Sequence, residues 1–429
     1  MNFSKLILTL FFFASLVVVT NAQVKAPSEI QRVVNQPKFD QQKMLDLQVD
    51  VIYLASDLLE GRETGEPGEQ LAADYISSRY REIGLEPKGT EGWEQAFPFT
   101  EMVNPHATPS VKPESGIGKN VVGYLDNKAP TTIIIGAHYD HLGLGGSGSL
   151  HAGEKEVHNG ADDNASGIAA MLKIALELKQ SASAKKNNYL FIAFSGEEKG
   201  LFGSKYYANN PTIDLKTVNF MFNMDMVGRL NEEKVLAIAG AGTSPVWHPI
   251  LNETHIADIV IKSSDSGIGP SDHTSFYLKD LPVLHFFTGQ HSDYHKPGDD
   301  SHLINYEGIY EVSDLMVSII ERLNTGEKIA FTKTKDDNGD KKISKFKVTL
   351  GVMPDYVYTG EGMRIDGVLS GRVAEKAGLK NGDIVMKIGE VEVKDIYSYM
   401  DGLSLFKKGD KTKVVVKRGE EMVTKEVTF

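Results

Sequence analysis

Between residues 120 and 323 the chain alternates short apolar runs with amphipathic stretches, and nothing else in it limits the fold so strongly. Residues 121–125, 131–135, 189–194, 218–224, 235–239 and 281–287 read as buried strands. Between them, residues 165–178, 200–209, 245–256 and 306–323 carry apolar side chains at helical spacing. Residues 41–59 and 68–83 add two earlier helices, the second stopped by Gly84. The alternation predicts an α/β domain, a mostly parallel mixed sheet flanked by helices on both faces. In such sheets ligands bind beyond the carboxyl ends of the strands.

Polar groups stand at those strand ends. The run Phe191-Ile192-Ala193-Phe194 is followed at once by Ser195-Gly196-Glu197-Glu198. Adjacent side chains on an extended backbone point opposite ways. The two glutamates therefore take separate tasks, one holding a metal and the other facing water, unless they form a solvated acidic turn. His138 and Asp140 end the strand at 131–135, and Asp225 ends the strand at 218–224. His295 follows the strand at 281–287, and Asp163 stands before the helix at 165–178. Asp162 and Asp163 also suit the N-cap of that helix.

Two imidazoles and three carboxylates form an oxygen and nitrogen donor set suited to zinc. Five such ligands (His138, Asp163, Glu198, Asp225 and His295) fit two metals that share one carboxylate. Asp140, two residues beyond His138, is placed to accept its other ring N–H. Tyr294, beside His295, either donates to a reaction oxyanion or packs against the strand. Arg229 reads as the partner of an acidic neighbour. His151 and His158 in the Gly-rich segment 142–158, with His291 and His302, read as solvent-facing. That segment is also a candidate lid or pocket wall.

Outside this domain, residues 1–22 hold one charged side chain, Lys5, then an apolar stretch and small residues, which describes a signal peptide. Its removal takes the net charge from −12 to −13, which argues against nucleic acid as a partner. There is no cysteine, so neither a disulfide nor a lipoprotein anchor is expected. Polar sequence directly after residue 22 counts against a membrane span. The expected layout is a signal peptide (1–22), a flexible arm (23–40), a catalytic domain (41–325), a linker (326–347) and a small β-rich domain (348–429). In the linker, the run Asp336 to Asp340 lacks the twelfth-position glutamate of a calcium loop.

Taken together, His138-x-Asp140, Gly160-Ala-Asp-Asp-Asn-Ala-Ser-Gly167, Ser195-Gly-Glu-Glu198, Asn223-Met-Asp225 and Tyr294-His295-x-Pro297 resemble the secreted bacterial zinc aminopeptidases. That family also contains carboxypeptidases and glutaminyl cyclases. Ser56-Asp57-x-x-Glu60-Gly61-Arg62 and Ser271-Asp272-His273 are similar to it as well. The resemblance implies that Asp163 bridges two Zn2+ ions, one held with His138 and Asp225, the other with Glu198 and His295. It implies Glu197 as general base toward a water shared by the metals, and an unusual peptide geometry after Asp163. The implied activity is release of N-terminal residues from peptides by a secreted or periplasmic enzyme. Rival readings are a glutaminyl cyclase, in which only one zinc is expected, and a carboxypeptidase, which needs a basic pocket for the substrate carboxylate. A third is a peptide-binding protein built on an inactive peptidase fold.

Leu350-Gly351-Val352, the run Val373 to Leu379, and Asn381-Gly382-Asp383-Ile384-Val385 resemble a PDZ domain. Backbone N–H groups near Leu350-Gly351 would then capture a peptide or protein C-terminus by strand addition, or the module is a stabilising one without a ligand.

Overall fold

The computed structural model describes residues 39–100, 115–334 and 348–429, apart from 147, 152, 355–357, 359, 369–371 and 395. The expected signal peptide, nearly all of the expected arm and the acidic run at 336–340 lie outside the described residues. No helix among the described residues is long and apolar enough to cross a membrane.

Helix α1 (Gln41–Leu54) starts where Asp40 accepts from the Gln42 N–H at 2.9 Å and buries Leu47, Val51 and Leu54. The sequence predicts this helix through residue 59. It stops at Leu54 instead, and Asp57–Arg62 forms tighter turns in which Glu60 and Gly61 have left-handed backbone. Helix α2 (Pro67–Ile83) opens on proline and closes on Gly84 at φ 80°.

Strands β1 (Glu86–Pro87), β2 (Glu94–Thr100) and β3 (Ser115–Leu125) lead into β4 (Thr132–His138). Then come α3 (Gly167–Gln180), β5 (Asn188–Phe194), α4 (Phe202–Asn209), β6 (Val218–Met224) and β7 (Val235–Ala239). Helix α5 (Trp247–Glu253), β8 (Val260–Ser263), α6 (His273–Tyr277), β9 (Val283–Phe287) and α7 (Tyr306–Arg322) complete the unit. The sheet order is β1-β3-β5-β4-β6-β9-β7-β8, with β2 on β3. Pairing is parallel through the central β5-β4-β6-β9 and antiparallel where β3 meets β5 and β7 meets β9. The sheet is therefore mixed, with its parallel part at the centre. Neither β8 nor α6 carries a periodic signal in the sequence. The first pairs with β7 along a short, largely exposed edge.

Register brings the carboxyl ends of the central strands level, with His138 opposite Phe194 and Met224 opposite Phe286. Helices α1, α2, α3 and α7 cover one face of the sheet through one continuous core. Tyr207 of α4 and Phe276 of α6 pack on the other face, with Ile134, Leu190 and Ile192.

Residues 326–334 run over this second face, where the Thr332 N–H donates to the Thr243 carbonyl at 2.7 Å and Phe331 meets Tyr277. The last unit holds β10 (Val352–Pro354), β11 (Met363–Val368), α8 (Val373–Ala377), β12 (Ile384–Ile388), β13 (Val391–Glu392), α9 (Ile396–Ser404), β14 (Lys411–Arg418) and β15 (Glu421–Thr428). Its sheet is antiparallel, in the order β10-β11-β12-β14-β15, so β10 lies at one edge. Leu350 is fully buried in its core, and the Gly351 N–H donates to Thr349 Oγ1 at 3.1 Å.

Candidate metal centre

His138 is the last residue of β4 and is buried. Its Nδ1–H donates to the backbone carbonyl of Asp140 at 3.2 Å, which turns Nε2 toward Asp163 Oδ1 and Asp225 Oδ1, each at 3.3 Å. His295 is held the same way. Its Nδ1–H donates to the Gly148 carbonyl at 2.9 Å, and Nε2 lies 3.2 Å from both Asp163 Oδ2 and Glu198 Oε2. Asp163 thus gives one oxygen to each histidine. Each imidazole directs Nε2 at two carboxylate oxygens, an arrangement that requires positive charge between them. A proton satisfies one oxygen, whereas a metal satisfies all three donors. Zinc bonds of about 2.0–2.1 Å put tetrahedral ligands roughly 3.3–3.4 Å apart, matching these separations. The residues fit the metal.

Electrostatics agree with ionised ligands. Burial alone would raise the Asp163 carboxyl, but His138, His295 and His141 outweigh it and hold it well below the usual carboxylate range. Glu198 is buried too, yet His295 and His141 bring it down to about 2. Glu197 moves the other way. Burial, with Asp225, Glu198 and Asp272 nearby, pushes it well above the usual range. Adjacent glutamates thus occupy opposite electrostatic environments, as expected from their divergent directions.

The loop carrying Asp163 is fixed by its neighbours. Gly160 has φ 56°, and a Cβ there would lie 2.1 Å from the Asp163 carbonyl oxygen. The peptide between Asp163 and Asn164 is cis, the unusual geometry that the resemblance implies. Asn164 donates to the Met224 carbonyl at 2.9 Å, and Asp162 Oδ1 accepts from the Gly228 N–H at 2.6 Å. These bonds latch the loop to the one bearing Asp225. Neither Asp162 nor Asp163 is an N-cap, because a single wide turn (Ala161–Ser166) intervenes before α3.

Asp140 lies against the His138 ring and has a wider part as well. The backbone carbonyl, rather than the carboxylate, is the nearer acceptor for His138, with Oδ1 at 3.6 Å. Its carboxylate accepts the Glu197 N–H at 3.2 Å and the Glu198 N–H at 3.4 Å, so it sets the turn holding both glutamates. Tyr294 stacks on His295 with ring centroids 3.8 Å apart and lines the cleft. Arg229 pairs with Asp293 and Asp299 at 3.4 and 3.3 Å, as its acidic surroundings suggest.

Two of the histidines expected in solvent are not there. His158 is buried, with Nδ1 on the Glu156 carbonyl at 2.9 Å and Nε2 on Ser149 Oγ at 2.8 Å. His291 faces Asp162 Oδ2 at 3.3 Å. His151 is half-buried and His302 exposed. The Gly-rich segment supports His295 through the Gly148 carbonyl and through the Leu150 N–H, which donates to the His295 carbonyl at 2.9 Å.

Several contributors were given no role by the sequence, although Arg62 and Asp272 lie in motifs already noted. His141 is buried and donates from Nδ1 to Glu198 Oε1 at 2.8 Å. Its place three residues after His138 was the one available hint. Asp299 Oδ2 accepts the N–H groups of Asp162 and Asp163 at 2.9 and 3.0 Å. Arg62 is fully buried and donates to the carbonyls of Leu54, Tyr139, Asn159 and Gly160, joining the ends of α1 and β4 to the Asp163 loop. Asp272 sits beneath the cleft, and burial pushes its carboxyl up to about 7.

Known proteins resemble this chain. Residues 120–320 match the model of peptidase family M28, and residues 329–429 match that of a PDZ domain. Aminopeptidase YwaD of Bacillus subtilis (strain 168) is 29% identical over 224 residues, covering 49% of this chain and 46% of that protein. The alkaline phosphatase isozyme conversion protein of Escherichia coli (strain K12) is 27% identical over 216 residues, covering 46% and 60% respectively. The chain thus spans about half the length of the first relative and three-fifths of the second. Among solved structures, BSAP, a zinc aminopeptidase from Bacillus subtilis, aligns over 67% of this chain and 95% of its own, with a TM-score of 0.51. At 17% identity that likeness speaks to the fold alone. The family match, the mixed sheet and the ligand rim agree: the chain carries a peptidase family M28 domain followed by a C-terminal PDZ domain.

Proposed function

We propose that the protein is a zinc-dependent aminopeptidase that uses two zinc ions, exported behind a cleaved signal peptide. The observation that carries the reading is Asp163, whose two carboxylate oxygens each face a separate histidine–carboxylate pair. His138 and Asp225 would hold one ion, His295 and Glu198 the other, with Asp163 between. Zinc there supplies Lewis acidity toward a carbonyl oxygen and makes water a stronger acid.

The chain's own groups do the rest. Glu197, with its carboxyl raised, takes a proton from the attacking water and returns it to the leaving amine. Asp140 holds that glutamate through its backbone N–H. The Tyr294 hydroxyl, at the cleft wall, is the donor for the developing oxyanion. Arg229 is engaged with Asp293 and Asp299, so it does not serve a substrate carboxylate. Two ligand sets count against a one-zinc cyclase, and the names of relatives such as YwaD favour an aminopeptidase.

The deciding experiment is elemental analysis of the purified protein together with turnover of amino-acid anilides and their N-acylated forms. Two zinc ions per chain and cleavage of free-amine anilides alone are expected. One zinc with no anilide turnover would sink the proposal. The expected layout, with the peptidase unit over 41–325 and the PDZ unit over 348–429, stands as part of it. Sequencing the exported protein from its N-terminus would find Gln23 first.

A further inference from the structure

The metal centre opens into a cleft of about 500 Å³ with walls from both units. The peptidase unit contributes Asp163, Glu197, Glu198 and Asp225, and Lys262 from β8. The PDZ unit contributes Tyr358, Gly360, Gly362, Met363 and Lys394. That volume lies in the lower half of the range for small-ligand pockets, so it suits a short peptide and not a folded chain.

Charge is unevenly placed along these walls. The carboxylates gather at the metal centre, while the lysines lining the cleft are Lys262 and Lys394. Elsewhere in the peptidase unit, Lys173, Lys199 and Lys234 each have a carboxylate within 2.5–2.9 Å. Neither Lys262 nor Lys394 has a carboxylate within 4.0 Å among the described residues. Two exposed ammonium groups on the walls of one cleft, neither neutralised by a carboxylate among the described residues, favour an anionic group between those walls.

The Lys394 segment is also fixed. Its N–H donates to Ser398 Oγ at 2.8 Å, and its carbonyl accepts from the Gly362 N–H at 3.0 Å. Gly362 has φ 98°, and a Cβ there would lie 2.9 Å from the Val385 carbonyl oxygen. The PDZ wall of the cleft is thus anchored to that unit's own core.

We propose that Lys262 and Lys394 bind the C-terminal carboxylate of a short peptide whose N-terminal bond lies at the metal centre. The PDZ domain then forms part of the substrate pocket, and the substrate class is peptides of a few residues with a free carboxyl end. The inference rests on the aminopeptidase reading and is tested separately from it.

The test uses the full-length zinc-loaded protein and three substrates: a tripeptide, the same tripeptide as its C-terminal amide, and an amino-acid anilide without any carboxylate. The acid should exceed the amide in kcat/KM by about tenfold, mainly through KM, as for loss of one hydrogen bond to a charged group. Lys394→Ala and Lys262→Ala should each shrink that ratio, and the double variant should bring it near one, with anilide turnover unchanged. Lys394→Arg should retain it. A wild-type ratio near one, or a ratio untouched in the double variant, would overturn the proposal. If only N-acylated peptides are cleaved, the aminopeptidase reading fails, and the same acid-to-amide ratio, measured on them, still judges the lysines.

Discussion

The two units handle buried charge in opposite ways. Around the metal centre, Arg62, His138, Asp140, Asp162, Asp163, Asp272 and Asp299 are all nearly or fully buried. In the PDZ unit, Asp383 is the buried charged residue among those described, and it is tied to Arg418 by two bonds of 2.7 Å. The contrast follows from architecture. A large mixed sheet brings strand ends and loops to one rim, where backbone donors and acceptors are dense enough to compensate many ions. The small antiparallel sheet has one core and, among the described residues, one ion pair with a buried member. Buried charge in the first unit gathers mostly at the candidate metal centre, and in the second it holds a turn, with Asp383 also accepting the Lys380 N–H at 2.9 Å.

The strongest way to break this contrast is Glu197→Gln. Activity should fall by about 10³-fold, within the range for losing a general base. Zinc content and thermal unfolding should stay as in the wild type. A variant that still hydrolysed peptides at the wild-type rate would remove the catalytic reading of the rim.

Arg62→Ala leaves four carbonyls without a cationic donor inside the protein. A loss of about 3–5 kcal/mol is expected, the cost of breaking a buried charged network. Chemical denaturation would measure it, and a loss below about 1 kcal/mol would show that the rim's charges are not mutually dependent.

Asp383→Ala should do less, lowering the melting temperature by several degrees at most. Anilide turnover should be unaffected, which would separate the stability of the PDZ unit from chemistry at the rim.

The smallest expected effect is in pH dependence. Burial pushes the Asp50 carboxyl up to about 6 despite Arg79 at 2.8 Å. Its ionised form therefore opposes folding above that pH, and the penalty fades as pH falls from about 6 toward the ordinary value near 4. Asp383 has the opposite sign. Burial raises it, but Arg418 outweighs this and holds it below the usual range. Its contribution is present above about pH 4 and is lost only below that. The stability gap between wild type and Asp50→Asn should change between pH 7 and 5, whereas that for Asp383→Asn should stay flat. Melting curves at pH 7, 5 and 3.5 would show both.

Much of the rim is legible in the sequence because His138, Glu197, Glu198 and Asp225 each follow an apolar strand, and strand ends are local features. Asp163 before α3 and His295 after β9 belong to the same pattern. Most helix and strand types in the first unit were plain too, β8 and α6 excepted, since burial on one face imposes a period on nearby residues. The misreadings have one cause. Asp162, His158 and His291 owe their settings to partners that no local pattern announces. Residue numbering alone cannot reveal that Asp299 accepts from Asp163, that Arg62 ties Asn159 to Tyr139, or that His141 faces Glu198. By itself, then, the sequence determined which residue types stand at the ends of which strands. Only the tertiary structure decided which oxygen faces which nitrogen, and that Lys394 of the PDZ unit shares a cleft with Glu197. Hydrogen bonds and ion pairs act over a few ångströms, and chain segments from about sixty to more than a hundred residues apart come that close only once the sheet has formed.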